Sequence, residues 1–141
     1  MQKVKIRRAV KGDFETIQDL IFEWLKWEIE RTKAFFGVLS DENHVVLVAE
    51  VNGKVVGFLH LLFYTDILHG GINSHVLLVF VKEEHRRKHI GKKLLDEAVK
   101  QAIKRGAIEM HVDTTFEEAA KFYRQHGFKD DGVMLELQLK T

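Results

Sequence analysis

One segment, Val79–Leu95, restricts the fold of this chain more than any other. An apolar strand ends near Val81, a short basic loop follows, and an amphipathic helix begins near Ile90. The first N–H groups of a helix lack intrahelical partners, and the helix dipole adds positive potential at the same end. Fixed positive charge around this point comes from Arg86, Arg87, Lys88, Lys92 and Lys93. The segment therefore predicts an anion site, and the group expected there is a diphosphate.

The strand inside this segment, Ser74–Val81, is apolar at nearly every position, which is typical of the middle of a sheet covered on both faces. Asn52-Gly53 joins two strand-like segments and is the strongest short signal for a hairpin turn. We expect a loop at Thr65–Asn73, which contains two consecutive glycines. Further strands are predicted at Lys3–Arg8, His44–Glu50, Lys54–Tyr64, Ile108–Asp113 and, as the last strand, Val133–Leu139.

Apolar residues spaced three and four apart predict the helices. The first helical region is expected from Asp13, as its N-cap, to about Phe36. The next helix is expected from Ile90 to Gly106, and the last from Thr114 or Thr115 to Gly127. Glu117 or Glu118 would complete a capping box in the last of these helices. The order β-α-α-β-β-β-α-β-α-β predicts the α/β class, as a sandwich of helices around a mixed sheet.

The basic loop stands out against a chain whose charge is otherwise balanced. The formal net charge is +1 over 141 residues, whereas a general polyanion binder is more often basic overall, so a nucleic-acid partner is disfavoured. This length suits one domain, residues 1–141, with a single core. No apolar run approaches the length of a membrane span, so we expect no membrane partner.

Cysteine and histidine limit the chemistry. The chain has no cysteine, which excludes disulfides, thiolate metal sites and a cysteine nucleophile, and fits a reducing, cytoplasmic location. Its eight histidines are scattered. His85 and His89 have i,i+4 spacing, but Gly91 and the basic neighbours favour an anion over a cation at this place. We therefore expect no metal.

The basic loop resembles the strand–loop–helix signature of the GNAT superfamily of acetyl-CoA-dependent N-acetyltransferases. The core of that signature is Arg/Gln-x-x-Gly-x-Gly/Ala. Arg86 matches its first position and Gly91 its last, while His89 stands where the middle glycine is usual. A second segment, Ala119–Phe128, resembles the family's other signature, and Asn52–Gly57 is similar to its central hairpin. The resemblance therefore covers nearly the whole chain.

The resemblance implies a mostly antiparallel central sheet and transfer of an acetyl group from acetyl-CoA, as co-substrate, to a primary amine by direct attack. The diphosphate and 3′-phosphate of coenzyme A suit backbone N–H donors flanked by Arg or Lys. Phe116 occupies a position where the family often has an asparagine that contacts the cofactor. The residues implied to bind the cofactor are Val79, Phe80, Val81, Arg86, Arg87, Lys88, His89, Ile90, Gly91, Lys92, Phe116 and Ala119.

Catalytic roles follow from the same resemblance. A backbone N–H of Val79–Val81 is expected to stabilise the negative charge that develops on the thioester oxygen. Tyr123, the tyrosine of the second signature, is the general acid expected to protonate the leaving thiolate or to donate it a hydrogen bond. Alternatively, Tyr123 is a structural tyrosine of the core whose hydroxyl group has a hydrogen-bond partner in the protein.

A general base cannot be taken from the family. Many members carry acids at the positions of Leu77 and Leu78, which are apolar here. The substitutes are His75 at the start of the central strand, Glu28 on the stripe of the first helix, and Asp113 at the end of its strand. A histidine suits the task best by its chemistry, and an ordered water is the alternative.

The acceptor is expected to be a small-molecule amine or a peptide or protein amine, and the sequence does not choose between them. The side formed by Asp13–Phe36 and Thr65–Asn73 is both aromatic and acidic, which suits an amine. A homodimer stays open. Two other functions compete: a non-catalytic module that binds or senses acyl-CoA, and a small nucleic-acid-binding domain that uses the basic loop.

Overall fold

The computed structural model describes residues 3–140. Its strands are β1 Val4–Arg8, β2 His44–Val51, β3 Lys54–Asp66, β4 Gly71–Val81 and β5 Met110–Val112. Its helices are α1 Phe14–Leu25, α2 Thr32–Ser40, α3 Ile90–Lys104 and α4 Glu117–Gln125. The strands form one sheet in the order β1-β2-β3-β4-β5, antiparallel from β1 to β4 and parallel between β4 and β5. The predicted mixed, mostly antiparallel sheet flanked by helices is confirmed.

The sheet separates two apolar cores, because successive side chains of a strand point to opposite faces. On one face α3 packs through the fully buried Leu94 and Leu95, and α4 packs through Tyr123. On the other face α1 packs through Ile17 and Leu20. Full burial of one such aliphatic side chain contributes roughly 1.5–3 kcal/mol, so both faces stabilise the sheet.

The first helical region differs from the prediction of one pattern reaching Phe36. Lys26 adopts a left-handed conformation with φ 59° and ends α1, and an exposed segment reaches to Arg31 before α2 begins. Asp13 does precede α1, but its carboxylate does not cap the helix. It accepts hydrogen bonds from the Arg7 guanidinium and from the N–H of Val10 at 2.8 Å instead. The charged guanidinium of Arg7 is a stronger donor than the N–H groups of the first helical turn, and it occupies the Asp13 carboxylate in their place.

The hairpin prediction is confirmed in detail. Asn52 and Gly53 both have positive φ, 53° and 77°, as the two-residue turn between antiparallel strands requires. The loop predicted at Thr65–Asn73 is shorter than expected, because β3 continues to Asp66 and β4 begins at Gly71. A turn of four residues remains between these strands.

Gly57 allows β3 to approach the end of β4 closely. A Cβ placed on Gly57 would lie 2.8 Å from the backbone oxygen of Phe80, which is closer than real Cβ contacts. We expect Gly57→Ala to destabilise the protein by about 1–3 kcal/mol, because backbone must move to admit the methyl group. Gly12→Ala is the matched control, since nothing lies within 4 Å of its Cβ position. Equal urea midpoints for the two variants would contradict this account.

The predicted last strand, Val133–Leu139, is wrong. Residues 129–140 form neither helix nor strand, and the alternating Val133, Leu135, Leu137 and Leu139 are 81–90% exposed. Alternation shows that a segment is able to form a strand, but a strand also needs a hydrogen-bonded neighbour. The sequence contains no information about that neighbour, which is why the pattern alone misled.

The capping box predicted before α4 is also absent. Phe116 occupies the N-cap position and makes no side-chain cap. The Thr114 hydroxyl accepts the N–H of Phe116 at 3.1 Å, so it stabilises the turn before the helix rather than the helix itself.

Candidate functional site

The site lies where β4 and β5 separate. Their parallel pairing covers only Ser74–Val76 against Met110–Val112. Leu77 is a bulge residue, because His60 pairs with Leu78 while the next residue of β3 pairs with Val76. Bulges bend a strand and end regular pairing. Within residues 3–140, the side of β4 that faces away from β3 therefore has no strand beside it from Leu77 to Val81, and we call this stretch the open edge.

The open edge leads directly into the basic loop. A short 3-10 turn at Glu83–His85 is followed by Arg86 in an extended conformation and by two residues with φ 62°, Arg87 and His89. His89 is the N-cap of α3. The N–H groups of the first helical turn have no partners inside the helix, so they are free to donate to an anion at the end of the open edge.

Two of the predicted cations already have partners in the protein. The Nε of Arg86 donates to the backbone oxygen of Val81 at 2.9 Å, and its guanidinium carbon lies 5.4 Å from the ring centre of Phe80. Lys92 pairs with Asp96 at 3.1 Å along the exposed surface of α3. Arg86 therefore holds the loop against the end of β4.

Gly91 lies close to α4 and to the end of β4. A Cβ at this position would lie 3.4 Å from Cζ of Phe122 and 3.9 Å from a methyl carbon of Val81. These are ordinary contacts, so the position faces α4 and β4. His89, where the family usually has glycine, is exposed and holds a left-handed conformation that ordinarily costs a non-glycine residue about 1–2 kcal/mol.

The structure brings two of the three base candidates together. Nε2 of His75 lies 2.6 Å from Oδ1 of Asp113, across the point where β4 and β5 part. His75 is the register partner of Leu62, which lies on the same face of β3 as the buried Phe58. The His75–Asp113 pair is therefore on the face of the sheet that carries α1 and α2.

Tyr123 approaches the same place from the other face. It is 8% exposed, and its ring packs against Phe122 and Phe128 at centroid distances of 5.3 Å and 5.6 Å. Burial, together with the negative charge of Asp113, raises the pKa of Tyr123 to about 12. The hydroxyl thus stays protonated at neutral pH and lies within electrostatic range of the His75–Asp113 pair.

Phe116 packs against α1 rather than beside Tyr123. Its ring is 5.9 Å from that of Trp24 on α1, and Trp24 in turn stacks on Phe80 at 5.3 Å. Phe116 precedes the helix, so helical spacing does not apply to it. The sequence contains only a faint signal for this contact: an aromatic residue where the family often has asparagine.

The remaining predicted residues fall into three groups. Val79, Val81 and Ala119 are half-buried against the α3 core. Ile90 is a core residue with 2% exposure, whereas Arg87 and Lys88 are exposed. Glu28 lies in the exposed segment between α1 and α2, and no described contact joins it to His75, Asp113 or Tyr123.

Two further properties bear on the site. In the part of the chain from residue 3 to 140, no three histidine or carboxylate groups are arranged to hold a metal ion. Over the same residues, no helix has the length and apolar character needed to cross a membrane.

Comparison with known proteins establishes the family. The acetyltransferase (GNAT) family profile matches residues 11–128, most of the chain. This protein belongs to the GNAT family of acetyltransferases, a family that uses acetyl-CoA.

Individual proteins are also similar to this chain. An uncharacterized N-acetyltransferase of Methanocaldococcus jannaschii is 26% identical over 92% of this chain, which spans 62% of the length of that relative. A transcriptional regulator of Bacillus halodurans C-125 superposes with a TM-score of 0.90, at 25% identity over 97% of this chain and 100% of that one. An aminoglycoside N-acetyltransferase solved in complex with CoA has a TM-score of 0.86 over 100% and 97% of the two chains, and at 17% identity shows the fold alone.

Proposed function

We propose that this protein is an acetyl-CoA-dependent N-acetyltransferase that moves an acetyl group to a primary amine by direct attack on the thioester. One observation supports this above all others. The open edge of β4 leads through the basic loop to the free N–H groups at the start of α3. The His75–Asp113 pair and Tyr123 lie near this edge on opposite faces of the sheet. The proposal includes a cytoplasmic location, which suits a chain without cysteine.

The residues present fit coenzyme A. The first N–H groups of α3 and the charges of Arg87 and Lys88 suit the diphosphate. Apart from the Val81 oxygen, which accepts a hydrogen bond from Arg86, the outward backbone groups of the open edge suit the amide-containing arm, which would pair with them as an added strand does. A backbone N–H of this edge is a preorganised donor for an oxygen that gains negative charge. When bound, acetyl-CoA supplies the acetyl thioester that the amine attacks.

His75 is the base in this proposal, and Asp113 holds it. The ammonium form of the acceptor must lose one proton before its nitrogen can attack, and a ring nitrogen of His75 accepts that proton. Asp113, hydrogen-bonded to Nε2, fixes the orientation of the ring. A neighbouring carboxylate is the usual way to orient a histidine for proton transfer, and this leaves Nδ1 for the substrate.

Tyr123 acts on the leaving sulfur from the other face. A phenol with a pKa of about 12 holds its proton more tightly than an ordinary thiol, whose pKa is about 8.5. Tyr123 therefore stabilises the departing thiolate by donating a hydrogen bond. After the C–N bond forms and the C–S bond breaks, the nitrogen loses a second proton and the thiolate takes up one proton to become the free thiol, so one net proton is released for each ammonium group acetylated.

The proposal is tested by binding and by turnover. Saturating acetyl-CoA should raise the midpoint of thermal unfolding, since ligand at a hundredfold excess over Kd stabilises by about 2.7 kcal/mol. A panel of primary amines should then release free thiol from acetyl-CoA in proportion to enzyme. An unchanged midpoint would overturn the proposal. Binding without thiol release for any amine, peptide N-terminus or lysine would favour an acyl-CoA sensor instead.

His89 provides a prediction about cofactor affinity. Replacement of His89 by the usual glycine should tighten CoA binding by about three- to tenfold, because without the imidazole the loop backbone approaches the phosphates more closely; relief of the left-handed conformation should separately stabilise the fold. His89→Asn is the control, since asparagine tolerates this conformation but keeps a side chain in the loop. Weaker CoA binding by His89→Gly, measured by calorimetry, would instead show that the imidazole donates a hydrogen bond to a phosphate.

A further inference from the structure

We propose that Trp24, Phe80 and Phe116, which we call the aromatic wall, select an acceptor whose amino group is carried next to an aromatic or alkyl group. The inference rests on the proposed function and deepens it by naming the substrate class. An arylalkylamine such as phenethylamine represents that class, and a polyhydroxylated amino sugar such as glucosamine represents the class that the wall disfavours.

The wall is continuous from the basic loop to the start of α4. The ring of Phe116 lies 5.9 Å from Trp24, Trp24 stacks on Phe80 at 5.3 Å, and the guanidinium of Arg86 covers Phe80 at 5.4 Å. These distances lie in the range of favourable aromatic pairs. Three elements that are far apart in sequence are thereby joined beside the open edge.

The wall and the proposed base share one face of the sheet. Phe80 and Trp24 belong to the core between the sheet and α1, and His75 points to that same face. Only two residues separate Asp113 from Phe116, and the Thr114 hydroxyl fixes this turn by accepting the N–H of Phe116. An amine that gives its proton to His75 therefore places its neighbouring carbon atoms against Phe116.

Phe116 is unusually placed for a phenylalanine. It occupies the N-cap of α4, where a small polar residue is favoured, and its side chain is 52% exposed. Leu77, the bulge residue at the same opening, is 44% exposed. Apolar atoms of an acceptor would cover both. Phe80 is buried beneath Trp24 and Arg86, so Phe116 is the ring of the wall that is exposed to attract the ammonium form of an arriving amine.

A polyhydroxylated acceptor gains little from this surface. Its hydroxyl groups exchange water for a wall whose side chains offer a single hydrogen-bonding group, the indole N–H of Trp24, so most of the hydrogen bonds lost from water are not replaced there. An aromatic or alkyl group loses no such bond and buries apolar area. The difference favours the arylalkylamine, and each tenfold preference corresponds to about 1.4 kcal/mol.

Turnover by matched variants tests the wall. With acetyl-CoA fixed, wild-type protein should have a kcat/KM for phenethylamine about tenfold or more above that for glucosamine. Phe116→Ala should lower the phenethylamine value through KM, with a loss about fivefold greater than for glucosamine, and Phe116→Leu should lose less. Phe22→Ala removes another exposed aromatic of α1, outside the wall, and should leave the ratio unchanged. A wild-type preference for glucosamine, or equal losses for both amines, would overturn the wall.

Binding gives a readout that does not need turnover. The chain has two tryptophans, so Trp27→Phe leaves Trp24 as the only one. In that background and with CoA present, phenethylamine should change Trp24 fluorescence saturably, and adding Phe116→Ala should weaken the apparent Kd about fivefold or more. If Trp24 fluorescence shows no saturable change, the role proposed for the aromatic wall is wrong, while the proposed function is unaffected. Failure of every amine to react, despite normal Trp24 quenching, would instead contradict the proposed function.

Discussion

Replacement of Tyr123 by phenylalanine is expected to lower kcat by about 10²-fold while the Kd for acetyl-CoA changes by less than about twofold. The ring stays in the core beside Phe122 and Phe128, so the fold is kept. Only the hydroxyl that would stabilise the leaving sulfur is lost. Stopped-flow or steady-state thiol release gives kcat, and calorimetry gives Kd.

The chain provides its own control for this substitution. Tyr64 is the other tyrosine of the chain and is exposed on β3, so Tyr64→Phe should leave kcat unchanged. Because the pKa of Tyr123 is raised to about 12, its proton is present at every pH below that value and is lost only as the pH rises through it. The ratio of wild-type to variant kcat should therefore stay constant from about pH 6 to 9. A ratio that varies across this range, or unchanged turnover, would remove Tyr123 from the mechanism.

Replacement of His75 by glutamine is expected to lower kcat/KM by about 10²- to 10³-fold at neutral pH. Glutamine is able to keep a hydrogen bond to Asp113 but does not accept the proton of the amine. The loss of kcat/KM should become smaller as the pH rises toward about 10, the pKa of an ordinary amine, because more of the substrate is then already deprotonated. Asp113→Asn should show a smaller loss with the same dependence on pH.

His111 is the matched control for His75. The two are register partners on neighbouring strands, but Nε2 of His111 lies 3.5 Å from Asp131, whereas Nε2 of His75 contacts Asp113. His111→Gln should leave kcat/KM unchanged. A His75→Gln defect that is the same at every pH would show a structural rather than a proton-accepting role, and an ordered water would then become the better candidate for the base.

What the sequence predicted well depends on neighbours along the chain. The Asn52-Gly53 turn is decided by the backbone preference of two residues, and the strand–loop–helix segment around Arg86 is decided by about fifteen. Local preference also placed α3 and its end at Gly106, which has φ 76° as a C-terminal stop requires. Such features need no knowledge of distant partners.

What the sequence missed depends on contacts between distant residues. His75 and Asp113 are 38 positions apart, and the sequence offered them as separate candidates with no sign that they pair. The contact of Trp24 with Phe116 is likewise visible only once α1 and the α4 turn are in place. Val133–Leu139 alternates as a strand does but finds no neighbour in the structure. In each case the missing information is the identity of the partner.

The central claim is that this protein transfers an acetyl group to an amine, and product analysis tests it most directly. Acetyl-CoA and phenethylamine would be incubated with the protein, and free thiol and acetylated amine would be measured together, the latter by mass spectrometry. The account predicts one acetylated amine for each thiol released, and strong loss of both with Tyr123→Phe. Thiol release without acetylated amine would show hydrolysis of the thioester and would contradict the account, as would the absence of both products across the whole amine panel.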